Sequence, residues 1–140
     1  MYLVREKKIE DCVDCEKVVT LAWKQTYNQI FSKEFLNSLS LNEEKRIERV
    51  INNFYDSDML SYVLEVDGKI VGVMNCGKTD DINYSDYGEL FSMYILEEYK
   101  GYGYGKKLFL KASDVLKGDV KSARLGRLFI FVNIKSTRKN

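Results

Sequence analysis

The 140-residue chain contains no histidine and no proline. Without imidazole it lacks both the commonest general base and the commonest metal ligand. Proton transfer would therefore fall to carboxylates, tyrosines or water. Cysteine is also scarce, with only Cys12, Cys15 and Cys76. An odd count this low excludes a disulfide framework and agrees with a reducing compartment. Cys12-x-x-Cys15 resembles half of a zinc site, but there is no second pair to complete it. No metal is expected, and the two thiols are assigned to a helix's buried face. There is no apolar run of 18 residues and no charged-then-apolar leader, so neither a membrane span nor a signal peptide is indicated and a cytoplasmic location is expected. No repeat, low-complexity tract or proline breaks the chain. Residues 1–140 are therefore expected to form one domain, long enough to bury roughly two-thirds of the unfolded surface.

The net charge of +1 conceals a division. Met1 to Tyr99 carries 11 Lys and Arg against 19 Asp and Glu, a net −8, whereas Lys100 to Asn140 carries 11 against 2, a net +9. The basic part suits a polyanionic ligand bearing phosphates, or a nucleic acid, or is simply a solvated tail. No nucleic-acid-binding motif accompanies it.

That division falls inside the most informative stretch, Glu89 to Leu110. Leu90 to Leu96 is almost continuously apolar, as in a strand covered on both faces. Glycines follow at 101, 103 and 105. They permit positive φ and leave room for backbone N–H groups to converge on an anion. From about Lys106 the spacing of Leu108, Ala112, Val115 and Leu116 predicts a helix, whose N-terminus adds to the attraction. The P-loop pattern fails, because Lys100 stands where its first glycine belongs and Lys107 where its hydroxyl belongs. The dinucleotide pattern is weak, since its third glycine would fall on Lys106. A turn that merely links strand to helix is the bland alternative.

Ahead of this stretch, Tyr2 to Ile9 reads as a strand. Asp11 is expected to cap a helix with Cys12, Cys15, Val19, Ala22, Trp23, Thr26, Tyr27 and Ile30 on its apolar side. Ser40 and Glu43 have the spacing of a capping box, with Ile47, Val50, Ile51 and Phe54 as the next helix's inward stripe. Tyr62–Val66 and Lys69–Met74 flank Asp67-Gly68, a strong hairpin signal. A polar loop, Gly77 to Gly88, then leads to the apolar strand.

Lys100-Gly101-Tyr102-Gly103-Tyr104-Gly105 resembles the [QR]-x-x-G-x-[GA] pyrophosphate-binding signature of the GNAT (GCN5-related N-acetyltransferase) superfamily, with Lys in place of Arg or Gln. The element order extends this resemblance over about Tyr2 to Leu116, with the coenzyme-binding core at about 60–117. Trp23 to Leu36, with a W-x-x-T-Y-x-x-I pattern at Trp23, Thr26, Tyr27 and Ile30, is similar to the region of the first and second helices in bacterial members. The resemblance implies a mixed α/β fold around a mostly antiparallel sheet, and acetyl transfer from acetyl-coenzyme A to a primary amine by direct attack. It further implies the pyrophosphate on the amides from Tyr102 to Lys106, with Lys100, Lys106 or Lys107 supplying charge. The pantetheine arm would lie along Met93, Tyr94 and Ile95, the acceptor near Trp23, Tyr27 and Phe31, and Glu89 would be the catalytic base. A solvent-facing strand-end glutamate is the alternative for Glu89, and i, i+4 core packing the alternative for Trp23 and Tyr27. Asp80, Asp81 and Asp86 could attract a cationic acceptor.

The chain departs from the family after Leu116. Arg124 to Val132 could be a fifth strand, 118–140 is atypical and basic, and no tyrosine follows Tyr104 to serve as the family's usual acid. A homodimer through the C-terminal strand edge is expected. A non-catalytic coenzyme-binding or interaction module and a small basic nucleic-acid-binding protein are the alternative functions.

Overall fold

The computed structural model describes residues 1–78, 88–119 and 128–130, and the side chains among them through Leu116. Five strands form one sheet in the order β1-β2-β3-β4-β5: β1 (Tyr2–Glu6), β2 (Leu60–Val66), β3 (Lys69–Lys78), β4 (Gly88–Ile95) and β5 (Leu128–Ile130). The first four pair antiparallel, and β5 joins β4 in parallel. Helices α1 (Cys12–Tyr27), α2 (Lys33–Leu41) and α3 (Glu43–Asn52) lie between β1 and β2, and α4 (Tyr104–Asp119) follows β4. The expected mixed α/β architecture with a mostly antiparallel sheet is present.

The β2–β3 hairpin turns where its sequence predicts. Asp67 at φ 51° and Gly68 at φ 83° are both left-handed, as a two-residue turn matching strand twist requires. Strand alternation then divides the side chains between two helical layers. On β4, Met93 and Ile95 lie beside Gly105 of α4, while Tyr94 accepts a hydrogen bond from Trp23 of α1. On β2, Tyr62 lies under Lys111 of α4, while its neighbour Ser61 bonds Asn75. Val63, Leu64, Met74 and Leu108 are fully buried between the layers. Truncating such a leucine to alanine costs about 2–5 kcal/mol.

Several expectations about the helices are corrected. Asp11 occupies the N-cap position of α1 without capping it. Its carboxylate instead accepts from the Lys8 amide at 2.7 Å and from both terminal nitrogens of Arg5, at 2.8 and 3.1 Å. Arg5 also reaches Glu65 at 2.7 Å, tying β1, β2 and the start of α1 together. The α1 stripe turns on Val18 more than Val19, while Thr26 and Ile30 are exposed and Ile30 lies beyond the helix. A third helix, α2, precedes β2; Ser32 caps it by accepting from the Phe35 amide at 3.1 Å. Ser40 therefore lies inside α2 and accepts from Lys24. The cap position of α3 falls to Asn42, so there is no Ser40–Glu43 box. The α3 stripe of Ile47, Val50 and Ile51 is only half-buried, because α3 packs on α1 rather than directly on the sheet.

Both paired cysteines are core residues. Cys12 and Cys15 are 0% and 2% exposed, and burial pushes the Cys15 thiol up to about 12. Among the described residues no group of Cys, Asp and Glu is arranged to hold a metal ion, and no helix is long and apolar enough to cross a membrane.

Candidate active site

β4 organises the site. Its pairing with β3 is in one register from Ile95 to Ser92 and shifts between Asn75 and Cys76, so that Phe91 is an extra residue on the β4 side. Such a bulge leaves the extra residue's backbone unpaired and bends the strand. On its other edge β4 meets β5 only from Gly88 to Leu90. Among the described residues, the edge from Phe91 to Ile95 has no strand beside it. An extended ligand can therefore pair with that edge as an added strand would.

Beyond Ile95 the chain passes through a short 3-10 turn, Glu97–Tyr99, into the glycine segment. Gln25 of α1 holds this passage by accepting from the Glu97 amide at 2.8 Å and donating to Glu98 at 3.2 Å. Gly101 and Gly103 have φ of 88° and 82°, and nothing lies within 4 Å of where a Cβ would stand. α4 then begins at Tyr104, two residues before the predicted start, so Gly105 is helical and its missing side chain faces Ile95 and Met93. The first intrahelical bond runs from the Lys107 amide to Gly103 at 3.2 Å. The amides of Tyr104, Gly105 and Lys106 precede it and remain as donors at the positive end of the helix dipole. The lysines differ in placement. Lys100 pairs with Glu97 at 3.3 Å, and Lys107 lies over the Tyr2 ring at 5.7 Å.

At the opposite end of β4, Glu89 is 3% exposed, so it is not the solvent-facing residue of the bland alternative. It stands opposite Gly77 in the register, as Ser92 stands opposite Asn75 and Tyr94 opposite Val73. Because these β3 residues alternate onto one face, Glu89, Ser92 and Tyr94 share the α1 side of the sheet, with the bulge between the first two.

Trp23 and Tyr27 pack against each other as i, i+4 neighbours on α1. Their rings pack 4.6 Å apart, and the series continues to Phe31 and Phe35 at 5.6 and 4.8 Å. Trp23 donates from its indole nitrogen to the Tyr94 hydroxyl at 3.2 Å. Tyr27 is 2% exposed, and its buried hydroxyl has no hydrogen-bond partner among the described residues. Burial, reinforced by Tyr94, pushes the pKa of this hydroxyl above the ordinary tyrosine value.

Two features were missed from the sequence. One is the Phe91 bulge, which no residue type announces. The other is a polar row crossing three strands: the Ser61 hydroxyl donates to Asn75 at 2.6 Å, and the Asn75 amide donates to Ser92 at 2.8 Å. Three polar residues, each interrupting an apolar strand, were the available signal. Asp80, Asp81, Asp86 and most of the predicted fifth strand lie outside the described residues.

A strand with a bulge and one open edge thus runs into a left-handed glycine turn and the start of α4, and the sequence across these elements matches the Acetyltransferase (GNAT) family. The model of that family matches residues 18–136. The chain belongs to the GNAT acetyltransferase family. It is 30% identical over 118 residues to Uncharacterized N-acetyltransferase YuaI of Bacillus subtilis (strain 168), covering 83% of this chain and 65% of that protein. It is 26% identical over 117 residues to Spermidine N(1)-acetyltransferase of Thermoplasma acidophilum, covering 81% and 70%. The chain thus spans about two-thirds of the length of these GNAT relatives. In fold it is similar to the PaiA N-acetyltransferase of Thermoplasma acidophilum solved in complex with coenzyme A, with a TM-score of 0.68, 24% identity and coverage of 85% and 74%.

Proposed function

We propose that this protein transfers an acetyl group from acetyl-coenzyme A to a primary amine. The observation that carries the proposal is the open edge of β4 from Phe91 to Ile95, continuous with the positive-φ turn at Gly101 and Gly103 and the start of α4. These residues fit the coenzyme in order. The edge near Met93 and Ile95 offers backbone groups to the pantetheine amides, and the amides from Tyr102 to Lys106 face the pyrophosphate. Lys100 and Lys107 add positive charge, each such charge contributing roughly 0.3–1 kcal/mol near a helix start. Where bound, the coenzyme supplies the activated acyl group; the unpaired backbone at the Phe91 bulge is the donor available to the thioester oxygen. Solved GNAT-family neighbours in complex with coenzyme A or acetyl-coenzyme A support this reading.

An ordinary amine arrives as an ammonium with a pKa of about 10.4, and it must lose a proton before attack. Glu89 is the base in this proposal. Its carboxylate is buried, lies on the α1 face beside the bulge, and takes the ammonium proton directly or through water. Trp23, Tyr27 and Phe31 line the acceptor side on the same face. The relative named for spermidine supports an amine acceptor as a class. A cytoplasmic setting is proposed from the free cysteines, all three of which are buried thiols. Association of two copies through the β5 edge is proposed on the sequence argument.

Thiol release from acetyl-coenzyme A across a panel of primary amines tests the proposal. Amine-dependent release is expected. Coenzyme binding with no release for any amine would favour the non-catalytic module, and salt-sensitive nucleic-acid binding without coenzyme binding would favour the third reading.

A further inference from the structure

A cavity of about 580 Å³ opens at the Glu89 end of the sheet, roofed by α3 and the Phe54 turn and floored by the starts of β2 and the end of β3. Its volume is that of a small-molecule site. Asn75 lines it and donates to Ser92, the residue directly after the bulge. The cavity therefore shares Ser61 and Asn75 with the polar row that ends at Ser92 on β4.

Val50, Phe54 and Leu60 are apolar members of its lining, and Lys7 and Arg49 are its cations. Of its two carboxylates, Glu16 is paired with Arg46 at 3.2 Å, which leaves one carboxylate, Glu6, against two cations in the lining. From Ser92 on β4 to Lys7 beyond β1 is three strand spacings, or roughly 14 Å. We infer that the acceptor is an amine whose carboxylate lies roughly 10–14 Å away across an apolar body, a long-chain ω-amino acid, with the amine at Glu89 and the carboxylate at Lys7 and Arg49. A polyamine would bring a second ammonium to those same two cations. This inference rests on the acetyl-transfer reading and adds the acceptor class to it.

A matched series isolates the end group: 8-aminooctanoate, octylamine and 1,8-diaminooctane, with spermidine as the polyamine. With saturating acetyl-coenzyme A and thiol release as the readout, kcat/KM should fall in the order carboxylate, neutral, cation, with at least tenfold between the first and last. Arg49 is exposed on α3, so Arg49→Glu should fold and should reverse that order; Arg49→Lys should keep it. Equal or better use of 1,8-diaminooctane or spermidine by the unaltered protein overturns the inference, as does an order that Arg49→Glu leaves unchanged. Calorimetry with acetyl-coenzyme A separates the two levels. If the coenzyme binds and the diamine is preferred, or no member of the series reacts, the acceptor class falls while the coenzyme site stands. If the coenzyme does not bind, both fall.

Discussion

The three glycines of the motif are predicted to respond to alanine with opposite signs, although a sequence pattern treats them alike. At Gly103 the backbone is left-handed, at φ 82°, and nothing stands within 4 Å of an added Cβ. The cost of Gly103→Ala is therefore conformational, about 1–2 kcal/mol for an L-residue in that region. Gly101, at φ 88° with the same open surroundings, should behave alike. Gly105 sits in the first turn of α4, where an added methyl would meet Ile95 Cδ1 at 3.7 Å and Met93 Sδ at 4.0 Å, both ordinary contacts. Gly105→Ala should therefore stabilise, by about 0.5–1 kcal/mol, because alanine loses less backbone entropy in a helix. For a chain of this length those changes correspond to melting shifts of roughly −3 to −7 °C and +2 to +3 °C. Urea unfolding of the single variants measures each difference directly. Coenzyme affinity should divide the same way: Gly103→Ala turns amides away from the anion and weakens binding, while the Gly105→Ala methyl faces β4 and spares it. Equal losses at 103 and 105, or a stabilised Gly103→Ala, would refute the placement of the helix start at Tyr104.

Three further outcomes are expected. Glu89→Gln should lower kcat about 100-fold, within the range for a general base, with coenzyme affinity kept; unchanged turnover across pH would remove Glu89 from the mechanism. Arg5, first through its hydrogen bonds, holds the Asp11 carboxyl below its usual value of 3.8. Its stabilising contribution is thus full above that value and is lost as pH falls through the lower folded one. Asp11→Asn should cost about 1.5–3 kcal/mol at pH 7 and flatten the acid limb of stability measured by urea unfolding. Cys15 gives the opposite limb: its thiol titrates at 9.0 unfolded and about 12 folded, so its contribution is present below pH 9 and declines by about 1.4 kcal/mol per pH unit above it. Cys15→Ala should lose that alkaline slope, and an unchanged slope would contradict the burial of the thiol.

What the sequence disclosed, and what it hid, follows from the range of the interactions involved. The hairpin at Asp67-Gly68 and the turn at Gly101 and Gly103 were legible because φ above zero selects glycine or a tolerant Asp locally. α1 and α4 were legible from helical spacing, and Cys12 and Cys15 proved to be core residues on the same spacing. Asp11 was misassigned because a carboxylate next to a helix start usually caps it, whereas here the Arg5 guanidinium, brought in by β1, competes and wins. α2 was suggested only by the family resemblance of Trp23 to Leu36, because Lys33–Leu41 is short and largely exposed, so its apolar period is faint. Glu89 became a candidate base only through the family resemblance, and its burial depends on how β4 packs beneath α1, which no local pattern reports. The Phe91 bulge and the Ser61–Asn75–Ser92 row are set by strand register, a non-local property.

β4, the glycine turn and the start of α4 are proposed to form one coenzyme site. Isothermal titration of the full chain with acetyl-coenzyme A tests it most directly. Saturable binding of one coenzyme per chain is expected, in roughly the 1 μM to 1 mM range usual for substrates, weakened by Gly103→Ala and unaffected by Gly105→Ala. Absence of binding, or equal loss in both variants, would contradict it.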